Sequence, residues 1–194
     1  MVFLHKGEPE LSVQERGQVA GIFNKYHPGA MRPEDIKNTY GSNGNRVRFI
    51  LAYDGAELAG FLTVIAASRE FFDSFIKNHR VLGIKRGAYP ITSSREEYRQ
   101  SAEFIIDSLF VDPAYRATSA CIDLVSEAAV IIEAACDAYS KEIRLAAKTD
   151  SAVIQDLCIN VFKMELVSYY QATSAYIIGL SRLQAVIKKL RHDF

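Results

Sequence analysis

The sequence carries no excess of charge of either sign: 23 Lys plus Arg balance 23 Asp plus Glu. No whole-protein field therefore draws the chain to nucleic acid or to an anionic membrane. Its aromatic residues are not interleaved with basic ones, as a nucleic-acid stacking platform requires. No apolar run approaches the ~20 residues needed to cross a bilayer, and residues 1–7 are too short an apolar stretch before Lys6, Glu8 and Glu10 to serve as a secretory leader. These absences predict a cytoplasmic protein with no nucleic-acid and no membrane partner. Cysteine is scarce too. Cys121, Cys136 and Cys158 are odd in number, lack C-x-x-C spacing and fall in helical patterns, which predicts buried, reduced thiols. His5, His27, His79 and His192 show no metal-ligand spacing, so no metal is expected. Neither G-x-S-x-G, nor a Walker A loop, nor a dinucleotide fingerprint occurs, which sets aside hydrolase, nucleotide kinase and Rossmann oxidoreductase readings.

What is present is an ordinary globular composition, 49% apolar and 24% charged over 194 residues, with no internal repeat. One α/β (α+β) domain spanning 1–194 is the simplest organisation. Ser12-Val-Gln-Glu15 is a capping-box signature, and Val19, Ile22, Phe23 and Tyr26 recur at helical spacing up to His27-Pro28-Gly29. Pro33-Glu34-Asp35 opens a short second helix. Between 46 and 67 the period becomes two, with Val47, Phe49, Leu51 and Tyr53 before Asp54-Gly55 and Leu58, Leu62 and Val64 after it, which reads as a hairpin. Residues 68–103 form an insertion with a short helix carrying Phe71, Phe72, Phe75 and Ile76. A strand from Phe104 to Val111 follows, then a long helix from about Ser119 to Ser140, with Ile122, Val125, Ala129, Ile132, Cys136 and Tyr139 as its inward stripe. A strand at 143–147, a helix capped by Asp150 or Ser151, strands at about 166–171 and 176–180, and a final helix at 182–194 complete the pattern. That last helix, with Leu183, Val186, Ile187 and Leu190 on one face, reads as a docking or homodimer helix. The order predicts a mixed, mostly antiparallel sheet with helices packed on it.

The most informative segment is Leu109-Phe-Val-Asp-Pro-Ala-Tyr-Arg-Ala-Thr-Ser-Ala-Cys121, where a strand gives way to the long helix. A tight turn there points backbone N–H groups outward at the positive end of a helix dipole, which suits a pyrophosphate. The segment resembles the GCN5-related N-acetyltransferases (GNAT), whose V-x-P-x-x-R opening runs into R/Q-x-x-G-x-G/A before a long helix. Val111, Pro113, Tyr115 and Arg116 match that opening, and the element order matches the family fold, with helices on both faces of the sheet. Ser119 and Cys121 stand at the two glycine positions; both are small, and Ser119 offers a hydroxyl. The resemblance implies a cradle for acetyl-CoA or another acyl-CoA built from Leu109, Val111, Arg116, Ala117, Thr118, Ser119, Ala120 and Cys121. Without the resemblance, Ser119 is a helix N-cap and Cys121 a core residue.

Acyl transfer to an amine needs a base, oxyanion donors and, in many cases, an acid for the departing thiolate. Asp107 is the expected base, because an acid inside an apolar strand has its pKa raised by desolvation. As a structural group it would instead pair with an arginine such as Arg48, and Glu103 is the reserve. Relatives supply the acid from a Y-x-x-x-G-F segment. Counting from the flanking elements puts Val161 or Leu157 at that tyrosine position, and Tyr169, Tyr170 and Tyr176 are the available substitutes. The resemblance thus implies an N-acyltransferase acting on a small-molecule or peptide amine. The insertion also resembles that of N-acyl amino acid and acyl-homoserine lactone synthases, which draw acyl chains from acyl carrier protein. On that reading Phe71, Phe72 and Phe75 line an acyl groove and Lys77, His79, Arg80, Lys85 and Arg86 meet the acidic carrier. The third reading is a non-catalytic binding module of the same fold.

Overall fold

The computed structural model describes residues 1–7, 10–40, 47–67, 69–77, 103–116, 118–135, 143–170 and 173–192. Seven strands hydrogen-bond in the order β1-β2-β3-β4-β5-β7-β6. They are β1 Val2–Gly7, β2 Val47–Asp54, β3 Glu57–Ala67, β4 Glu103–Val111, β5 Arg144–Thr149, β6 Glu165–Tyr170 and β7 Thr173–Gly179. The helices are α1 Val13–Tyr26, α2 Pro33–Tyr40, α3 Arg69–Lys77, α4 Ala120–Ala135, α5 Ala152–Asp156 and α6 Leu180–His192. The expected mixed, mostly antiparallel sheet is what the chain forms: β4 and β5 are parallel, while β1–β2, β2–β3, β5–β7 and β6–β7 are antiparallel. A parallel pair cannot be joined by a tight turn, so the chain returns through a helix between β4 and β5. The described residues cluster into two compact units, 1–65 with 108–128, and 66–77 with 103–107 and 129–192.

In the first unit, the capping box at Ser12 is formed in full. The Ser12 hydroxyl accepts from the Glu15 N–H at 3.1 Å, and the Glu15 carboxylate accepts from the Ser12 N–H at 2.7 Å. Glu15 also meets Lys6 at 2.6 Å. Burial alone would raise the Glu15 pKa, but these hydrogen bonds and the Lys6 charge outweigh it and hold the carboxyl below its ordinary value.

The hairpin forms as expected, with Gly55 supplying a φ of +60° in its two-residue turn. Its burial departs from simple alternation. Ile50 and Ala52 are as buried as Phe49 and Leu51, and β3 is buried from Leu58 to Ala67. The reason is that helices cover both faces, so no polar face is required. Adjacent residues of β3 show this: a Cβ on Gly60 would meet Leu124 of α4, whereas Phe61 stacks on Phe110, which in turn touches Phe23 and Tyr26 of α1. Gly60 is glycine because β4 crosses so closely that a Cβ would lie 2.8 Å from the Phe110 carbonyl oxygen.

In the second unit, Phe104, Ile105, Leu145 and Ala146 form the buried centre of the β4–β5 ladder. Phe72 and Phe75 of α3 are buried, with the Arg144 guanidinium 4.8 Å over the Phe72 ring and the Lys148 ammonium 4.8 Å over Phe75. Helix α6 begins directly off β7, where the Leu180 N–H donates to the Ile143 carbonyl at 2.8 Å. It buries Leu183 and Ile187, and Gln184 donates to Glu133 at 2.9 Å. Of its apolar stripe, Leu183 and Ile187 are buried within the chain, while Val186 and Leu190 are half-buried.

The inward face of α4 is shifted from the expected stripe. Ala120, Leu124, Val125, Ala128, Ala129 and Ile132 are buried and Ile122 only partly, while Cys136 and Tyr139 lie outside the described residues. No helix among the described residues is long and apolar enough to cross a membrane, and none of their side chains cluster as a metal site.

Candidate functional site

The loop between β4 and α4 is built from its own sequence. Asp112 caps a single 3-10 turn, Pro113–Tyr115, by accepting from the Ala114 N–H at 3.0 Å, and Pro113 lacks the donor that this first position would leave unsatisfied. The Asp112 N–H donates to the Ala59 carbonyl at 2.8 Å and anchors the corner to β3. The chain then turns at Arg116. The Thr118 N–H and hydroxyl both donate to the Tyr115 carbonyl, at 3.0 and 2.7 Å, and the Thr118 hydroxyl accepts from the Ala120 N–H at 3.2 Å. Ser119 stands where the N-cap was expected, its carbonyl accepting from the Asp123 N–H at 2.9 Å, but its hydroxyl donates to the Asp123 carboxylate at 2.6 Å.

The amides around the loop are therefore not equivalent. Those of Thr118, Ala120 and Asp123 are satisfied internally, while among the described residues the N–H groups of Ser119, Cys121 and Ile122 meet no acceptor. Ala117 lies outside the described residues. Ala120 is fully buried, Cys121 is half-buried, and Thr118, Ser119 and Arg116 are exposed. Burial pushes the Cys121 thiol up to about 11, so it is neutral near pH 7. Leu109 and Val111 are half-buried and alternate along β4 with Phe110.

A brace around this loop comes from the last turn of α1. Lys25 forms an ion pair with Asp112, and the Tyr26 hydroxyl donates to the Val111 carbonyl. Arg116 Nε donates to the Tyr26 oxygen at 3.3 Å, and its guanidinium lies 4.9 Å above the Tyr26 ring. Phe110 sits within an aromatic group, 5.0 Å from Phe23, 5.4 Å from Tyr26, 6.2 Å from His27 and 5.4 Å from Phe61. Burial would raise the Asp112 pKa, but the Lys25 hydrogen bond, the Ala114 N–H and the Lys25 charge together hold it below its ordinary value. The helical spacing marks Tyr26 as inward-facing, but nothing in the sequence links it to a loop 85–90 residues away.

Asp107 is half-buried in β4, one residue beyond Ile106↔Ala147, where the ladder with β5 ends while β4 continues to Val111. Arg48, its suggested structural partner, lies 3.8 Å from Glu10. Glu103, the reserve base, is a buried ion-pair partner of Arg144 at 2.8 Å. Arg144 is also 4.0 Å from Asp73. Burial lowers the Lys148 pKa.

Of the substitute tyrosines, Tyr176 is buried, Tyr169 is exposed, and nothing is described of the Tyr170 side chain. Helix α5 runs on into a π turn at Leu157–Val161, closed by Phe162 N–H to Leu157 carbonyl and Met164 N–H to Cys158 carbonyl bonds, each 2.8 Å. Lys163 there adopts a φ of +56°. A left-handed backbone at this position suits a glycine. Ile159 stands four residues before it, 44% exposed. Neither it nor Val161 nor Leu157 is a tyrosine. Of the basic run expected to meet a carrier protein, Lys77 is exposed and His79, Arg80, Lys85 and Arg86 lie outside the described residues.

No family model matches the sequence, and no curated protein matches it. Solved structures do. A GNAT-family acetyltransferase from Desulfovibrio desulfuricans aligns over 92% of this chain and 98% of its own, at TM-score 0.57 and 13% identity. An aminoglycoside 6'-N-acetyltransferase from Enterococcus faecium aligns over 93% and 97%, at TM-score 0.57 and 11% identity. The PaiA N-acetyltransferase from Thermoplasma acidophilum, solved with coenzyme A, aligns over 92% and 99%, at TM-score 0.55 and 12% identity. The chain has the GNAT fold.

Proposed function

We propose that this chain is an N-acyltransferase that takes an acetyl or other acyl group from a cytoplasmic acyl-CoA and passes it to a small-molecule or peptide amine. The observation that carries the reading is the β4–α4 corner. There, among the described residues, the N–H groups of Ser119, Cys121 and Ile122 meet no acceptor, and they lie near Arg116 at the positive end of a 16-residue helix. A diphosphate fits this donor set. The Asp123 carboxylate is held by Ser119 and adds one negative charge to the first turn, which Arg116 offsets.

The thioester supplies the activated acyl carbon when bound. The residues of the chain do the rest: Arg116 and those amides hold the diphosphate, Thr118 and Ala120 keep the loop in shape, Leu109 and Val111 offer apolar contact to the pantetheine arm, and Asp107 accepts the amine proton. With no tyrosine at Leu157, Ile159 or Val161, the thiolate leaves without a protein acid there, which its own low basicity permits. The aminoglycoside acetyltransferases of the same fold motivate the choice of a small amine as acceptor.

Phe72 and Phe75, which the carrier-protein reading places in an acyl groove, are buried and Phe71 is half-buried, which favours the acyl-CoA donor. The test is a thermal-shift panel with coenzyme A, acetyl-CoA, long-chain acyl-CoA and acylated carrier protein, since a ligand of the native state raises Tm. A shift with acetyl-CoA is expected. A shift confined to long-chain donors would replace this reading with the carrier-linked one, and no shift with any donor would leave the fold without the activity.

A further inference from the structure

Arg116 is the one cation of the loop, and its long side chain is exposed, so an anion would have to meet the cost of ordering it. Much of that cost is already met within the protein. The Tyr26 oxygen accepts from Arg116 Nε at 3.3 Å, the guanidinium carbon lies 4.9 Å from the Tyr26 ring centroid, and Tyr26 itself is tied to the Val111 carbonyl. These contacts use the Nε of the guanidinium and its cation–π attraction to the ring. Among the described residues its two Nη groups have no partner. Tyr26 is in turn held on the aromatic group around Phe110, and its neighbour Lys25 on Asp112.

We propose that Tyr26 is a positioning residue for the donor site: it preorders Arg116 so that both Nη groups meet the diphosphate of the bound coenzyme. The proposal rests on the donor-binding reading above. It assigns a role in that site to the end of α1, which no loop motif reveals.

The test is calorimetric titration with coenzyme A and, in parallel, with pantetheine, which lacks every phosphate. Tyr26→Phe keeps the ring and removes the oxygen, and should weaken coenzyme A about fivefold. Tyr26→Leu removes both and should weaken it more, on the order of tenfold or beyond. Pantetheine affinity should stay unchanged in both. Adding Tyr26→Phe to Arg116→Ala should cause no further loss, because the two act through one guanidinium.

An equal loss in the Arg116→Ala background, a parallel loss of pantetheine, or an unchanged Tyr26→Phe would each overturn the proposal. Should Tyr26 variants fail to fold, Arg116→Lys serves instead, since its exposed ammonium cannot reproduce the Nε bond. It should lose about fivefold for coenzyme A and nothing for pantetheine, and unaltered coenzyme affinity would refute the idea. A wild-type protein that binds no coenzyme A would remove the donor reading and this proposal together, whereas intact wild-type binding with insensitive variants removes the proposal alone.

Discussion

Gly60→Ala is the sharpest probe of how the β4 strand is held. The added Cβ would lie 2.8 Å from the Phe110 carbonyl oxygen, 3.2 Å from the Val111 Cα and 3.1 Å from the Leu124 Cδ1. Two of those atoms are backbone, so the methyl cannot be accommodated by a rotamer change; β3 and β4 must separate by some tenths of an ångström. Overpacking of this kind costs about 1–3 kcal/mol. Against it stands a gain of about 0.4–1 kcal/mol from the narrower unfolded ensemble of alanine. The net expectation is a destabilisation of roughly 1–2 kcal/mol, read as a fall in the urea midpoint at unchanged slope. The control is Gly21→Ala on the exposed side of α1, where nothing lies within 4 Å of the new Cβ. Helix propensity alone should make it more stable by up to about 1 kcal/mol. If Gly60→Ala were neutral or stabilising while Gly21→Ala behaved as expected, the close β3–β4 crossing would be wrong. The position of Phe110 and Val111 beneath the loop would fall with it.

Other outcomes follow from the same geometry. Ser119→Trp should abolish donor binding with circular dichroism nearly unchanged, because the exposed indole would cover the loop amides; retained affinity would refute the cradle. Lys25→Met should cost about 0.5–1 kcal/mol at neutral pH. Since the folded Asp112 pKa lies below its ordinary value of 3.8, that contribution is present above the unfolded pKa and disappears as pH falls through the folded one. Urea titrations of both proteins should therefore converge in acid, and a constant gap would contradict the pairing. Cys121 should resist Ellman's reagent at pH 8 in the folded protein and react once unfolded, since its thiol is pushed up to about 11; rapid native labelling would refute its burial. Lys163→Gly should stabilise the chain by about 1 kcal/mol by relieving the left-handed backbone, and a loss on thermal melting would show that its side chain matters more than its φ.

Local chemistry was legible along the chain. The capping box at Ser12, the Asp54-Gly55 hairpin and the strand-loop-helix at 104–135 each depend on residues within a few positions of one another, so spacing suffices to read them. The same holds for Asp112-Pro113, whose turn is made by its own carboxylate and its own missing N–H. Burial was legible only in part. Alternation in the hairpin marks one inward face, yet Ile50, Ala52 and Ala59 are buried as well, because helices from distant segments cover the second face. The π turn at Leu157–Val161 was not legible, since a one-residue insertion in a helix leaves the apolar pattern nearly unchanged while moving every later position.

By itself, then, the sequence determined the element order, the helix and turn boundaries within a few residues, the neutral character of the whole, and the place of the loop at Arg116 to Cys121. All of these follow from local propensity, periodicity and turn chemistry. Tertiary structure alone decided which of that loop's amides are already satisfied, that Glu103 belongs to Arg144, that Leu183 and Ile187 of α6 are buried, and that Tyr26 and Lys25 brace a corner more than 80 residues away. Those facts depend on through-space distances set by packing, and a phenol at the end of an amphipathic helix looks the same in sequence whatever it touches.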